Sequence, residues 1–269
     1  SSIGISEQVT LNVGVNAQVL TLNNSWTLEP RAGIKWQFSP KSSFALAYGL
    51  HSRMEKMDVY FVKTQGTGDR SVNKDLGFTR AHHVMLSYGF KVSDNMNMKI
   101  EPYFQQLYDV PVISDSSYSV LNRRDFYVEN ALVNRGKGRN IGVDITLERY
   151  LNKGLYYMVT ASIFDSKYYG GDRKWRNTLY NRNFIVNVLG GKEWMVGRDR
   201  QNMFSVNFKI TLQGGDRYAP VDEVATLLDP DREVQYDETK AFSKQFSPMF
   251  ITNFSVGYKI NRKKVSHEF

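Results

Sequence analysis

The sequence predicts an all-β chain, an antiparallel transmembrane β-barrel of which about ten or eleven strands are present. Three observations carry this prediction. Apolar and polar residues alternate with period two in segment after segment. The connections sort into short turns and long polar loops, and aromatic residues gather near the strand ends.

The strands follow in order along the chain. Val9, Leu11, Val13 and Val15 alternate with Thr10, Asn12, Gly14 and Asn16, and Ala32, Ile34, Trp36 and Phe38 with Arg31, Gly33, Lys35 and Gln37. Phe44, Leu46, Tyr48 and Leu50 form the third apolar row, and Val84, Leu86, Tyr88 and Phe90 the fourth. Met98, Ile100, Phe104 and Tyr108 form the fifth; Pro102 lies in that row and lacks a ladder donor, so a bulge or a local break in pairing is expected there. The clearest case is residues 140–162, "NIGVDITLERYLNKGLYYMVTAS", where Ile141, Val143, Ile145 and Leu147 share one face. The turn Leu151–Gly154 then reverses the chain into a hairpin. Phe184, Val186 and Val188 come next, then Phe204, Val206, Phe208, Ile210 and Leu212. The last row is Phe250, Phe254, Val256, Tyr258 and Ile260. Each strand is read as roughly 9 to 13 residues, the length that a tilted strand needs to cross a bilayer.

Short turns are expected near Ser39–Ser42, Ser93–Asn95, Leu151–Gly154, Gly197–Asn202 and Asn261–Lys264. Long loops are expected at 54–79, 109–137, 166–182 and 214–247, with only the connection at Asn23-Asn24-Ser25 short on that side. Short turns on one rim and long loops on the other are the habit of outer-membrane barrels. Trp36, Phe38, Phe44, Tyr88, Phe90, Trp194, Phe204 and Tyr258 fall in the apolar phase near the short turns, and Tyr108, Phe184 and Phe250 near the long loops. Two girdles at the membrane interfaces explain this placement, because amphipathic rings prefer that depth. The apolar face therefore meets lipid. Arg31, Lys35, Glu101, Asp144, Glu148, Asn187, Asn207, Lys209, Asn253 and Lys259 occupy the other phase, and a watery or plugged lumen is expected to take them.

Composition agrees without deciding. No run of about 18 apolar residues marks a membrane helix. A mean hydropathy of -0.44 looks polar, as barrels do when every second strand residue faces water. There are no cysteines, hence no disulfides or thiol-metal sites. The net charge of +8 would suit a polyanion, but the basic residues are scattered and sit beside acids, so nucleic acid is not expected as a partner.

Catalytic and metal motifs are weak. His82 and His83 are adjacent, so on a strand they point to opposite faces and do not chelate together. "GKGRNIG" leads into a strand, leaving no helix N-terminus for a phosphate. Asp229, Asp231 and Glu233 lack the glycine and spacing of a calcium loop. No enzyme activity, metal or cofactor is expected.

Several stretches resemble a known family. They are "NSWTLEPRAGIKWQFSPKSSFALAYGLHSR", "GFTRAHHVMLSYGF" with "QQLYDVPV", "LVNRGKGRNIGVDITLERYLNKGLYYMVTASIFDSKYYGG" with "WRNTLYNRNFIVNVLGGKEW", and "GGDRYAPVDEV" with "YDETKAFSKQFSPMF" and "FSVGYKINRKKVSHEF". Together they resemble the barrel of a TonB-dependent outer-membrane receptor, in the subgroup with a carboxypeptidase-regulatory-like domain ahead of the plug. The resemblance implies a barrel of about 22 strands, a plug inside it, import of a scarce or bulky ligand, and energy from TonB with ExbB and ExbD. A surface lipoprotein is a further partner to consider. The expected location is the outer membrane of a Gram-negative bacterium. The whole of 1–269 then reads as part of one barrel domain, a fragment in which plug, TonB-contacting box and closing strands are missing, and Phe269 imitates a terminal aromatic. The ligand could be an iron chelate, a cobalamin, a glycan or a peptide. A passive channel and a soluble basic β-protein that binds polyanions are the alternatives.

Ligand would meet the outer rim first, and the longest loop there is 214–247. Arg217 offers a forked donor and Tyr218 a flat amphipathic ring, types favoured at binding surfaces. Asp222 is placed to cap a short helix from Glu223 to Leu228, with Pro230 placed to end it. Trp175, Arg176, Asn177 and Tyr180 supply a similar mixture in the preceding loop. The alternative is that these residues only stiffen their loops.

Overall fold

The computed structural model describes residues 2–64, 70–123, 128–231, 233–262 and 265–268. Lys264 and Phe269, invoked above for a turn and a terminal aromatic, lie outside the described residues. The strands are β1 (Ser2–Gly4), β2 (Val9–Leu20), β3 (Ser25–Ser39), β4 (Ser42–Arg53), β5 (Thr79–Ser93), β6 (Met96–Val112), β7 (Val133–Asn152) and β8 (Leu155–Tyr169). They continue with β9 (Trp175–Asn177), β10 (Phe184–Val196), β11 (Asn202–Gln213), β12 (Arg217–Tyr218), β13 (Lys244–Gln245), β14 (Met249–Asn261) and β15 (Ser266–Glu268). All except β12 and β13 join one antiparallel sheet, in which β1 to β8, β10, β11, β14 and β15 lie side by side in chain order. The sheet is open: among the described residues no pairing joins its first strand to its last.

The pairing sets the two faces as the alternation requires. Val143 stands opposite Pro102 and Ile163, while its neighbour Asp144 stands opposite Glu101 and Ser162. Phe204 lies between Trp194 and Tyr258, and Phe208 between Gly190 and Phe254. Much of the apolar face is open among the described residues; Phe254 is 70% exposed. Its rings gather at the ends: Trp36, Phe38, Tyr88 and Phe90 form a chain of contacts beside the short turns, with centroids 5.3–6.4 Å apart. Tyr48, His82 and Tyr108 form a stack beside the long loops.

The five short turns fall where the sequence places them, so far as residues are described, and so do the four long loops, except that strands take up 109–112, 133–137 and 166–169 of the second and third. Strand length departs from expectation. The ten long strands run from 12 residues to the 20 of β7, because β6, β7 and β8 continue into residues expected in the long loops. In the β7–β8 turn, Lys153 and Gly154 both have positive φ (52° and 74°), the pairing of angles whose twist matches a hairpin. A Cβ on Gly154 would lie 2.2 Å from the carbonyl oxygen of Glu193, so only glycine fits.

Pro102 produces a pairing break without a bulge. Its ladder to β7 runs through Glu101, Pro102 and Tyr103 in register. On the β5 side pairing stops at Met85↔Tyr103 and resumes at Tyr88↔Ile100 in the same register, because proline has no N–H to give. The shift of register in β6 comes later, between Leu107 and Val110, where Asp109 takes a left-handed conformation.

Candidate ligand-facing surface of the lumen and outer loops

The polar face of the sheet is a wall of hydrogen-bonded side chains. Gln105 accepts from Asn140 at 3.0 Å, Asn140 accepts from Ser166 at 2.6 Å, and Ser166 accepts from Thr178 at 2.9 Å. Farther along, Asn207 accepts from Tyr156 and Asn187 accepts from Thr211, each at 2.8 Å. Lys99 pairs with Glu101 at 2.9 Å, and Asp144 accepts from Ser162. Charges and amides thus satisfy one another within and across strands, which lets the half-buried amides keep their hydrogen bonds.

Glu29 is the most connected group on this wall and was not singled out from the sequence. It is 1% exposed and accepts from Gln18, Asn16, Arg31 and both the N–H and hydroxyl of Ser52. The local chain explains why. The β3–β4 ladder ends at Arg31↔Gly49, one residue after Pro30, so Ser52, paired with Arg80 on its β5 side, has no ladder partner on its β3 side and gives its N–H to the carboxylate instead. The signal was present: Glu29 shares the inward phase of Arg31 and Lys35.

Below the loops the wall borders a cavity of about 1040 Å³ lined by Asn12, Arg31, His51, His83, Gln105 and Asp144, among others. His51 and His83 meet there with tilted rings, their centroids 4.6 Å apart. The opposite placement expected for the adjacent histidines holds: His82 lies on the other face, its Nδ1 2.9 Å from the Tyr48 hydroxyl.

The long loops form a tied layer at the outer end. Asn73 joins loop 54–78 to loop 113–132, donating to the Asn130 carbonyl at 2.9 Å and accepting from the Leu132 N–H at 2.7 Å. Asn122 accepts from the Leu179 N–H, linking the second loop to the third. Arg182 binds Asp216 at 2.7 Å and Gln213 at 2.8 Å, linking the third to the fourth. Val59, Tyr60, Val62, Leu76, Phe78, Val110, Val120 and Leu132 pack into an apolar core among the first two loops. Burial pushes the Glu55 carboxyl up here, despite nearby Arg53, while its N–H donates to the Tyr60 hydroxyl.

The seven residues expected at the rim divide into two kinds. Arg217 is spent on the neighbouring loop, donating to the Asn181 carbonyl and to Asn183, each at 2.8 Å. Arg176 is buried and grips Asp172 through two nitrogens, at 2.9 and 2.5 Å. This pair holds the Asp172 carboxyl below the usual carboxylate range. Asn177 accepts from Asn181 at 3.0 Å. Asp222 caps the helix Glu223–Leu228 by accepting from the Ala225 N–H at 2.9 Å, and the helix ends at Asp229, immediately before Pro230. Asp229 itself accepts from the N–H groups of Asp231 and Glu233, shaping its own turn. The three rings stay open. Tyr180 is 50% exposed, Trp175 lies beside Tyr169 with Arg139 over its face, and Tyr218 stacks on Phe246 at 4.3 Å. The structure therefore joins Arg217 and Asn177 through Asn181 in a seam between two loops, with Arg176 tied to Asp172 inside the third loop. It leaves Asp222 at a separate helix end.

No protein-family model matches the chain, and no curated protein sequence matches it. Solved structures do. The ferric-catecholate import receptor Fiu of Escherichia coli K12 aligns over 97% of this chain and 37% of its own, with a TM-score of 0.65 at 10% identity. FpvA of Pseudomonas aeruginosa, solved with a pyoverdine–iron complex, aligns over 97% and 31% with a TM-score of 0.65 at 10% identity. The outer-membrane transporter YddB of E. coli aligns over 93% and 37% with a TM-score of 0.63 at 12% identity. These structures are TonB-dependent outer-membrane receptors. The chain spans about a third of their length, and it has the fold of the β-barrel wall of a TonB-dependent outer-membrane receptor.

Proposed function

We propose that this chain is part of the wall and outer loops of a receptor that imports a scarce or bulky ligand across the outer membrane, using a plug and the TonB–ExbB–ExbD system. One observation carries the reading: four long loops are tied into a single layer over a polar, amide-lined lumen. A plain diffusion pore gains nothing from that layer, whereas a receptor needs a shaped outer surface to capture ligand before transport. A ferric chelate is the first ligand to test, since the matched structures include a ferric-catecholate receptor and an iron–pyoverdine complex. Trp175, Tyr180 and Tyr218 are the proposed contacts, while Arg217, Arg176, Asn177 and Asp222 hold the loops that present them.

The test uses the intact protein in an iron-starved Gram-negative host lacking its own chelate receptors. Uptake of a radio-iron chelate should require TonB, and Trp175→Ala with Tyr180→Ala should weaken capture about tenfold or more at equal surface abundance. Uptake that persists without TonB would favour a passive channel instead.

A further inference from the structure

A second surface lies on the lipid-facing side of the sheet, near the short turns. Strands β8, β10 and β11 leave a groove of about 310 Å³ there. Leu155, Tyr157, Val159, Val188, Val206 and Phe208 line it, and register places all six on the lipid-facing phase. Gly191 also borders it, and the neighbouring Gly190, in the lipid-facing phase between Tyr157 and Phe208, is buried. A side chain there would bring its Cβ to 3.0 Å from both the Tyr156 carbonyl and the Tyr157 Cβ, and to 3.4 Å from the Phe208 ring.

The short-turn end of the groove is cationic. Lys192 lies opposite Leu155 and Val206, and its ammonium reaches the Lys153 carbonyl in the β7–β8 turn at 2.7 Å. Lys153 itself is exposed in that turn. Arg149 stands opposite Tyr157, and its Nε is buried without a hydrogen-bond partner among the described residues. The nearest acids in these strands, Glu148 and Glu193, follow the opposite phase. Trp194, exposed beside Lys192, marks the interfacial depth at which headgroups lie. An apolar slot with cations at its interfacial end complements one kind of molecule: an acyl chain bearing an anionic headgroup.

We propose that this groove is a binding site for an anionic phospholipid of the leaflet on the short-turn side. One acyl chain lies against Val159, Val188 and Phe208. The phosphate sits at Lys192, with Lys153 and Arg149 beside it. Lysine donates as a movable point charge, so the Lys192 ammonium can trade the Lys153 carbonyl for the phosphate. The proposal rests on the lipid-facing assignment of this phase and is independent of the transported ligand.

Native mass spectrometry of the intact protein, released from nanodiscs of mixed phosphatidylglycerol and phosphatidylcholine, tests it. Wild-type protein should retain phosphatidylglycerol in preference to phosphatidylcholine. Lys192→Gln and Arg149→Gln should each reduce that retention about fivefold, the effect of one interfacial cation on an anionic lipid. Lys192→Arg should restore it. Val159→Trp, which fills the slot from the lipid side, should reduce retention of both lipids while heat-modifiable migration on gels remains normal. Equal retention of the two lipids by wild-type protein would overturn the site, as would unchanged retention in the Lys192→Gln, Arg149→Gln double variant. Inorganic phosphate that displaces phosphatidylglycerol from an unfilled groove would show an anion site without a lipid slot, and would overturn it equally.

Discussion

The transmembrane sheet and the outer loop layer solve the same problem in opposite ways. The sheet carries most of its apolar residues on one face and leaves many of them open: Phe254, Val256 and Ile163 all stay exposed. Lipid is their solvent, so the sheet needs no core of its own. The loops have water around them and must bury apolar groups internally. They do so with residues far apart in sequence, such as Val59, Leu76, Val120 and Leu132. The difference teaches where stability resides. The sheet depends on a matching environment, and the loop layer on specific contacts between loops.

The largest expected effect attacks the loop core. Tyr60 is 0% exposed, and Tyr60→Ala should cost about 3–5 kcal/mol of local packing. The loss should appear as protease cleavage and fast amide exchange within loops 54–78 and 113–132, with barrel assembly intact, because such layers open locally. Loss of assembly instead would erase the distinction between the two regions.

Next in size is a charge on the lipid face. Val143→Arg should cost about 2–4 kcal/mol if the residue lies near the midplane, measured by urea titration in liposomes. Asp144→Asn, one residue away on the lumen face, keeps an acceptor for Ser162 and should be nearly silent. Equal costs for the two would mean that the faces are not distinguished by lipid.

A smaller effect is expected in the seam between the third and fourth loops. Arg217→Ala removes charged hydrogen bonds to Asn181 and Asn183; Arg217 is only half-buried, so the loss should be about 1–2 kcal/mol in all. Crosslinking between single cysteines placed in the two loops should then fall, with surface abundance unchanged. Crosslinking at the wild-type level would show that the seam is held elsewhere.

The smallest effect is pH-dependent, and its sign differs between two loops. The Asp172 carboxyl is lowered by Arg176, so its contribution is present above the ordinary carboxylate value and lost as pH falls through the lowered one. The Glu55 carboxyl is raised by burial, so its site is most stable below the ordinary value and loses that advantage as pH rises through the raised one. Acidification through the carboxylate range should therefore increase amide exchange around Asp172 and decrease it around Glu55. Parallel changes in both would contradict the opposed environments.

Much of this architecture was legible in the chain because strand chemistry is local. Period-two alternation assigns faces without knowledge of neighbours, which is why Val143 and Asp144 separate correctly, as do His82 and His83. The Asp222 cap was legible for the same reason: its partner, Ala225, is three residues away. The strand lengths were not. Nothing in alternation marks where β7 leaves lipid and continues upward, since polar and apolar residues alternate on both sides of that boundary.

By itself, then, the sequence determined the fold class, the order and phase of ten long strands, the sorting of short turns from long loops, and the capped helix in the last loop. Each depends on chemistry within a few residues. Only the tertiary structure decided that Glu29 supplies a partner for the Ser52 backbone, that His51 meets His83, and that Arg217 is spent on Asn181 rather than held out to a ligand. Alternation says which face a side chain takes. Strand registry and loop docking decide what it meets there, and those depend on pairings between residues tens of positions apart, which no local pattern encodes.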